Sequence, residues 1–346
     1  MEALIRTPYE ATVKAMLASL ERNLLPDMVV RQLTRLLLAS RLRSGTSRLR
    51  SSSSPTSSTL LAVSTRTCRG ELLALDQMPI AVETEKPKAQ HYELPTSFFK
   101  LVLGKNLKYS SCYFLDKSNT LDDAEDQMLE MYCTRAQIKD GQSILDVGCG
   151  WGSFSLYIAK KHKNCNITGI CNSLTQKAHI EERCRELQLS NVSIIVADIS
   201  KFEMEASFDR VVSIEMFEHM KNYKVLLKKI SGWMKEDSLL LYIISIFLHG
   251  GTMPSANLLL YFQDDVTVVD HWLVNGKHYA QTSEEWLNRM DENSLVIRPI
   301  MESTYGKAEA TKWTVYWRTF FIAVAELFGY NNGEEWMVAH FLFKKK

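Results

Sequence analysis

The residues with the clearest chemical potential are a histidine and two carboxylates in the segment Ser213 to Met220, Ser-Ile-Glu-Met-Phe-Glu-His-Met. Glu215 and His219 are four positions apart, so on a helical turn they share a face, and Glu218 lies beside them. Neighbouring carboxylates raise the pKa of an imidazole and fix its tautomer, which suits a proton acceptor near neutral pH. The alternative is a helix start whose acids complement the helix dipole. A metal site is another alternative, but the sequence shows no third ligand for it.

A glycine-rich turn stands between an apolar run, residues 143–147, and an amphipathic stretch. Gly148, Gly150 and Gly152 predict a strand, a tight turn and a helix, with the backbone passing close beneath a ligand. The spacing Gly-x-Gly-x-Gly differs from the Gly-x-Gly-x-x-Gly of dinucleotide-binding folds, and the sequence has no phosphate-loop motif. With Asp146 at the strand end to hold an amine or a cation, the pattern suits the amino-acid portion of S-adenosylmethionine better than a pyrophosphate. A purely structural turn is the alternative.

Polar side chains also follow the next two predicted strands. Asn172 and Gln176 stand where nucleotide-binding α/β folds usually carry an acidic residue for the ribose hydroxyls. Asp198 is a carboxylate with an apolar neighbour, Ile199, which suits an adenine amino group above an aliphatic surface. Together with Asp146, three consecutive strand ends therefore carry side chains that suit one ligand, a more specific signal than any one of them.

The order of the predicted elements places these side chains at one edge of a sheet. Short apolar runs alternate with amphipathic stretches, which predicts an α/β fold with a parallel sheet and crossover helices. The predicted strands are residues 143–147, 166–171, 192–197, 208–213 and 238–246, with helices at 173–187 and 221–234 and a final strand within 334–343. In such folds the ligand crevice lies at the carboxyl ends of the strands, where these candidate residues fall.

The chain divides by composition into four segments. Residues 1–43 read as helices with basic faces. Residues 44–77 are rich in arginine and serine and have no apolar periodicity, which predicts disorder. Residues 78–120 precede the sheet and form the expected lid over the ligand. The α/β domain then occupies residues 121–346.

The composition excludes several other classes of protein. The 346 residues are 46% hydrophobic and 23% charged, as in globular proteins. A net charge of +1 produces no overall electrostatic field that would attract nucleic acid or an anionic membrane. The seven cysteines include no Cys-x-x-Cys pair, so neither a zinc site nor a disulfide framework is expected. The longest apolar run, residues 239–248, is too short to span a bilayer, and the N-terminus lacks the features of a secretory signal. These features predict a cytoplasmic protein.

Together the motifs resemble the cyclopropane-fatty-acid synthase superfamily of class I S-adenosylmethionine-dependent methyltransferases. The residues that carry the resemblance are the glycine turn at 146–152, Tyr109-Ser110, Glu215–His219, and His278-Tyr279 with Thr282 and Trp286. Within the superfamily, the chain is more similar to the plant coclaurine N-methyltransferase-like proteins. That closer similarity rests on residues 90–93, 250–257, 270–276 and 313–321.

The resemblance implies a fold and a cofactor. The fold is a Rossmann-like, mostly parallel seven-stranded sheet with a helical N-terminal lid and a C-terminal substrate-side insertion at residues 250–330. The cofactor is S-adenosylmethionine. Besides Asp146, its implied contacts are Tyr109, Ser110, Gly148, Gly150, Asn172, Gln176, Asp198 and Ile199.

The resemblance also implies the reaction, N-methylation of a secondary or primary amine such as a benzylisoquinoline-like alkaloid. His219 would remove the amine proton, while Glu215 and Glu218 would bind the amine. Glu93 would be a lid carboxylate near the amine, and beside Tyr92 it is a typical partner for an organic cation. The implied aromatic wall of the substrate site is Tyr316, Trp317 and Phe320.

Two segments depart from the family pattern. Residues 44–77 lack its helical sequence, and residues 241–249 replace a histidine- and aromatic-rich segment that helps to form the substrate site. One alternative is therefore an isoform that binds the cofactor without catalysing transfer. Another is a lipid-modifying enzyme of the cyclopropane synthase type, although Ser111 stands where those enzymes carry a cysteine. A homodimer is a candidate assembly.

Overall fold

The computed structural model describes residues 2–50, 78–80, 94–216, 220–245 and 257–346. The helices in these ranges are α1 Glu2–Glu21, α2 Asp27–Arg50, α3 Thr96–Val102, α4 Leu121–Arg135, α5 Ser153–Lys161, α6 Leu174–Glu186, α7 Tyr223–Gly232, α8 Lys277–Glu292, α9 Ser294–Tyr305 and α10 Ala310–Gly329. The strands are β1 Ser143–Val147, β2 Asn166–Cys171, β3 Val192–Val196, β4 Phe208–Ile214, β5 Met234–Ser245, β6 Val266–Val274 and β7 Val338–Lys345.

The strands form one seven-stranded sheet in the order β3-β2-β1-β4-β5-β7-β6. Strands β1 to β5 run parallel, and β7 lies antiparallel between β5 and β6. The predicted α/β class with a mostly parallel sheet is confirmed. The inner strands β1 and β4 consist almost wholly of buried residues, because crossover helices cover the sheet on both faces.

Several boundaries differ from the sequence-based expectations. Helix α2 continues to Arg50, beyond the boundary expected after residue 43, because adding a residue to an existing helix is easier than starting a new one. The rest of the segment predicted to be disordered lies outside the described residues. Strand β5 begins at Met234, where a helix was expected to end, because α7 stops at Gly232. Strand β6 was not predicted.

The glycine turn is fixed by close packing. Gly152 precedes α5 with a φ of 81°, and a Cβ there would lie 2.7 Å from Cγ1 of Ile180 on α6. Helix α6 begins at the end of β2, where the Ser173 hydroxyl accepts a hydrogen bond from the Gln176 backbone N–H. These two helix starts therefore lie side by side at the carboxyl edge of the sheet.

The N-terminal helices pack on the helices that separate β6 from β7. Arg31 of α2 pairs with Glu284 of α8 and Glu326 of α10, and Arg318 of α10 pairs with Asp27. A buried aromatic cluster joins α3, α8 and α10 below these ion pairs, through Phe98, Phe99, Trp286, Trp317 and Phe321. In the described ranges, no helix combines the length and the apolar character that crossing a membrane requires.

Candidate active site

The glycine turn holds a backbone conformation that is open to a ligand. Gly148 and Gly150 have φ values of 86° and 54°, in the left-handed region that favours glycine. The backbone N–H groups of Gly148 and Cys149 both donate to the Ile170 carbonyl at 2.9 Å, which ties the turn to β2. A Cβ at Gly148 would lie 2.7 Å from Cγ of Met216, whereas one at Gly150 would meet no described atom within 4 Å. The turn thus has open space at Gly150 and tight packing at Gly148.

Asp146 lies at the end of β1 with only 1% of its surface exposed. Its carboxylate accepts a 2.7 Å hydrogen bond from the Ser155 hydroxyl on α5. Burial raises the pKa of Asp146 to about 6, against the opposing effect of this hydrogen bond. Asp146 therefore joins the two sides of the glycine turn, and its contact with a ligand amine stays a prediction.

The two following strand ends bring further predicted residues to the same edge. Gln176 is buried in the first turn of α6, and its Nε2 has no hydrogen-bond partner among the described residues. Asn172 precedes it and is exposed. After β3, the Asp198 carboxylate accepts hydrogen bonds from the backbone N–H and the hydroxyl of Ser200, at 2.9 and 2.6 Å. A buried amide donor without a partner indicates a ligand, because leaving such a group unpaired is costly.

Ile199, next to Asp198, is a buried member of the main hydrophobic core. Its carbonyl lies 3.4 Å from Nζ of Lys229, which also contacts the carbonyls of Ser200 and Phe202. The side chain therefore packs inward, and its contact with the cofactor also stays a prediction.

The segment around Lys108 closes over this edge of the sheet. Lys108 is buried, and its Nζ donates a 2.6 Å hydrogen bond to the Ser110 hydroxyl and another to the Ser111 carbonyl. The Ser111 backbone N–H donates a 2.9 Å hydrogen bond to Glu215 at the end of β4. The ring of Tyr109 packs against Phe99 and Trp286. Two predicted cofactor residues and one predicted catalytic residue are thus brought together.

Two carboxylates share the environment of Lys108. Glu125 of α4 is fully buried, accepts backbone hydrogen bonds from Asn106 and Lys108, and has a pKa that burial raises to about 7. Burial also raises the pKa of Glu215, against the opposing effects of Lys108 and of hydrogen bonds from Ser111, Tyr279 and Ser245. Burial lowers the pKa of Lys108 itself. The site therefore contains one buried cation, one buried acid and one half-buried acid, whose charges depend on one another.

Lys108 and Glu125 were not predicted from the sequence. The signal for Lys108 was a lysine between apolar and aromatic residues, which reads equally well as a solvated side chain. Glu215 itself has a φ of 47°, an uncommon conformation for a residue other than glycine. The contacts of Ser111, Tyr279 and Ser245 hold Glu215 in place.

Helix α8 anchors the other end of this segment. The Thr282 hydroxyl accepts a hydrogen bond from the Cys112 N–H at 3.0 Å, and His278 Nδ1 accepts one from the Phe114 N–H at 3.2 Å. The Tyr113 ring stacks on His278 at 4.2 Å between ring centroids. Burial lowers the pKa of His278 to about 4, so the ring is neutral and Nδ1 can accept. These contacts give His278 and Thr282 a structural function in holding the segment.

The predicted aromatic wall divides between two environments. Trp317 is buried against Phe98 and Phe99, with Phe320 in the same cluster. Tyr316 instead donates its hydroxyl to Glu21 on α1. The remaining predicted site residues, Tyr92, Glu93, Glu218 and His219, lie outside the described residues.

The strand order and the glycine turn define a class I S-adenosylmethionine-dependent methyltransferase. The chain belongs to the coclaurine N-methyltransferase family within the cyclopropane synthase superfamily, as predicted. A family model described as mycolic acid cyclopropane synthetase matches residues 82–262. The (S)-coclaurine N-methyltransferase of Thalictrum flavum subsp. glaucum is 44% identical over 98% of each chain.

A second relative and a solved structure agree with this assignment. Pavine N-methyltransferase of the same organism is 45% identical over 79% of this chain and 83% of that protein. A crystal structure of coclaurine N-methyltransferase bound to N-methylheliamine and SAH matches with a TM-score of 0.90 at 44% identity. It covers 96% of this chain and 100% of that one. The cofactor of the family is S-adenosylmethionine.

Proposed function

We propose that this chain methylates the nitrogen of a secondary or primary amine with a benzylisoquinoline-like ring system. The relatives that span nearly its whole length support an amine as the acceptor. The observation that carries the proposal is the position of Glu215. It follows β4, lies one residue before the Met216 side chain that packs at Gly148, and accepts a hydrogen bond from Ser111. A carboxylate is thus held where the cofactor turn meets the closing segment.

The residues present fit S-adenosylmethionine. The space at Gly150 admits a ligand beside the backbone, and the buried amide of Gln176 offers a donor that has no partner among the described residues. Tyr109 and Ser110 would cover the ligand from the opposite side. We propose that these residues, with Asp146, Gly148, Asn172, Asp198 and Ile199, hold the cofactor. When bound, S-adenosylmethionine supplies a methyl group already activated on a sulfonium.

The protein's contribution is then to orient the amine and to remove its proton. A secondary amine is mostly protonated at neutral pH and has no free lone pair in that state, so a base is needed. We propose His219 for this step, with Glu215 and Glu218 pairing with the amine cation. Glu93 with Tyr92, and the aromatic side chains of Tyr316, Trp317 and Phe320, would surround the organic rings.

The experiment is a transfer assay with the full-length chain and methyl-labelled S-adenosylmethionine. It offers a panel of benzylisoquinoline-like amines in one set of reactions and vesicles of unsaturated phospholipid in another. Label on an amine nitrogen supports the proposal, whereas label in the acyl chains would overturn it in favour of a lipid-modifying enzyme. Cofactor binding without transfer to any amine would indicate an isoform that lacks catalysis.

The departure at residues 241–249 bears on this last outcome. Strand β5 pairs with β7 from Leu239 through Ser245, so the sheet is continuous up to that point. Residues 246–256 lie outside the described residues. A cytoplasmic location and a homodimer stay predictions.

A further inference from the structure

Two cysteines lie at the candidate cofactor site on adjacent parts of the sheet edge. Cys149 is in the glycine turn, and Cys171 is the last residue of β2. The Cys149 backbone N–H donates a 2.9 Å hydrogen bond to the carbonyl of Ile170, the residue before Cys171. Standard backbone dimensions then hold the two Cα atoms within about 7 Å, the upper range for a disulfide.

The two sulfur atoms lie on the same face of β2. Gly169 and Cys171 are two residues apart on the strand, so their side-chain positions share a face. A Cβ at Gly169 would lie 2.9 Å from Sγ of Cys149, which shows that this sulfur sits over the bare backbone of Gly169. The two thiols belong to one buried cluster, and each shifts the pKa of the other. Gly169 thus provides the space for the Cys149 sulfur on the face of β2 that carries Cys171.

Their surroundings give the two thiols different reactivity. The neighbouring Cys149 thiol and the backbone N–H groups at the start of α6 lower the pKa of Cys171. The pKa of the Cys149 thiol is raised, by the neighbouring Cys171 and by burial. Burial raises the pKa of other described thiols, such as Cys133 and Cys184. Cys171 is therefore suited to attack, with a second thiol in the same buried cluster.

We propose that Cys149 and Cys171 form a redox modification site, in which a hydroperoxide converts the two thiols to a reversible disulfide. The Cys171 thiolate attacks the peroxide oxygen, which forms a sulfenic acid and releases hydroxide or alkoxide. The Cys149 thiol then attacks the Cys171 sulfur, forming the S–S bond, and water leaves with the thiol proton. The peroxide gains the two electrons that the thiols lose, and a dithiol reductant reverses the change.

The disulfide has a direct consequence for ligand binding. It links the residue between Gly148 and Gly150 covalently to the residue before Asn172. The turn then loses freedom on the side where the cofactor enters, and oxidation reduces the affinity for S-adenosylmethionine. This consequence rests on the proposed cofactor site, whereas the disulfide itself does not.

The test treats the full-length chain with a small excess of hydrogen peroxide and analyses its peptides without reduction. Lys160 and Lys161 separate the two cysteines after trypsin cleavage, and fragmentation distinguishes Cys171 from Cys165 in the same peptide. We expect a Cys149–Cys171 cross-link in the wild type and in Cys184→Ser, a control that removes a half-buried thiol on the neighbouring helix α6. Cys149→Ser should instead accumulate a sulfenic acid at Cys171, and Cys171→Ser should form neither product. Absence of the cross-link in oxidised wild type would overturn the proposal.

Equilibrium dialysis with labelled S-adenosylmethionine tests the consequence. We expect oxidation to weaken binding roughly tenfold in the wild type and in Cys184→Ser, with recovery in dithiothreitol, and to leave Cys149→Ser nearly unchanged. A cross-link that does not alter affinity would overturn the proposed effect of the disulfide on cofactor binding. A cross-link in a chain that never binds S-adenosylmethionine would remove the proposed cofactor site and leave the disulfide standing. If Cys149→Ser does not fold, Cys149→Ala replaces it, because alanine leaves no unpaired hydroxyl.

Discussion

The Ser111 backbone N–H donates a 2.9 Å hydrogen bond to the carboxylate of Glu215, a residue 104 positions further along the chain. This bond joins the segment that closes the site to the end of the fourth strand of the sheet. Within the same segment, the buried Lys108 ammonium donates hydrogen bonds to the Ser110 hydroxyl and the Ser111 carbonyl. Closure of the site and the position of its carboxylate therefore depend on each other.

Lys108→Met should destabilise the protein and weaken cofactor binding. The substitution keeps the length of the side chain but leaves the buried Glu125 and the half-buried Glu215 without the nearby cation, a change that costs about 3–5 kcal/mol. The loss should be larger at pH 8 than at pH 5, because protonated carboxyls do not need the cation. Urea unfolding at both pH values measures it.

Lys105→Met is the matched control for this prediction. Lys105 lies three residues away and pairs with Asp126, but its side chain is half exposed, so the substitution should cost less than about 1 kcal/mol. Equal losses of unfolding free energy in the two variants would show that the Lys108 interactions have no special importance.

Glu125→Gln should change how stability depends on pH. The folded-state pKa of Glu125 is raised from 4.5 to about 7, so this group contributes stability below pH 4.5 that is lost as the pH rises through 7. This loss of stability amounts to about 3 kcal/mol in the wild type, and it does not occur in the variant. The free energy of unfolding of the variant relative to the wild type should therefore rise between pH 5 and pH 8. The exposed Glu205→Gln should follow the wild type throughout, and a parallel course for Glu125→Gln would contradict the prediction.

The sequence predicted the parallel core well, because strands buried on both faces leave continuous apolar runs. Strands β1 and β2 lie at the expected residues. Strand β6 escaped prediction because it is half exposed and its pairing with β7 shifts between Val268 and Asp270, which breaks the alternation of apolar and polar residues.

In the candidate site, too, residues indicated by the local sequence were predicted, and residues that depend on distant parts of the chain were not. Gly148 and Gln176 could be predicted because local spacing places them at strand ends. Lys108 could not, because its burial depends on Glu125 and Glu215, which the fold brings from distant parts of the chain. Tyr316 was predicted in the substrate wall, but the structure places its hydroxyl against the N-terminal helix.

Gly148→Val should remove binding of S-adenosylmethionine while leaving the chain folded. A Cβ at Gly148 would meet the Met216 side chain at 2.7 Å, and a β-branched residue at a φ of 86° is strained by about 1–3 kcal/mol. The turn must then move from its position on β2. Calorimetric titration measures the affinity, and circular dichroism checks the fold. Gly232→Ala is the control, since its Cβ would meet no described atom within 4 Å. Undiminished affinity in Gly148→Val would exclude this turn as the cofactor site.

His219→Ala should slow amine methylation by about 10²–10⁴-fold at neutral pH, the usual contribution of a general base. The affinity for S-adenosylmethionine should be unchanged, because the proposed base acts on the amine. The loss should shrink at high pH, where more of the amine is already neutral and needs no base. Single-turnover rates across the pH range, with cofactor affinity measured in parallel, separate the two effects. His162→Ala, at the C-terminal end of α5, removes a histidine from another part of the α/β domain and should keep the wild-type rate. Rates equal to those of the wild type at every pH would assign the proton transfer to another group.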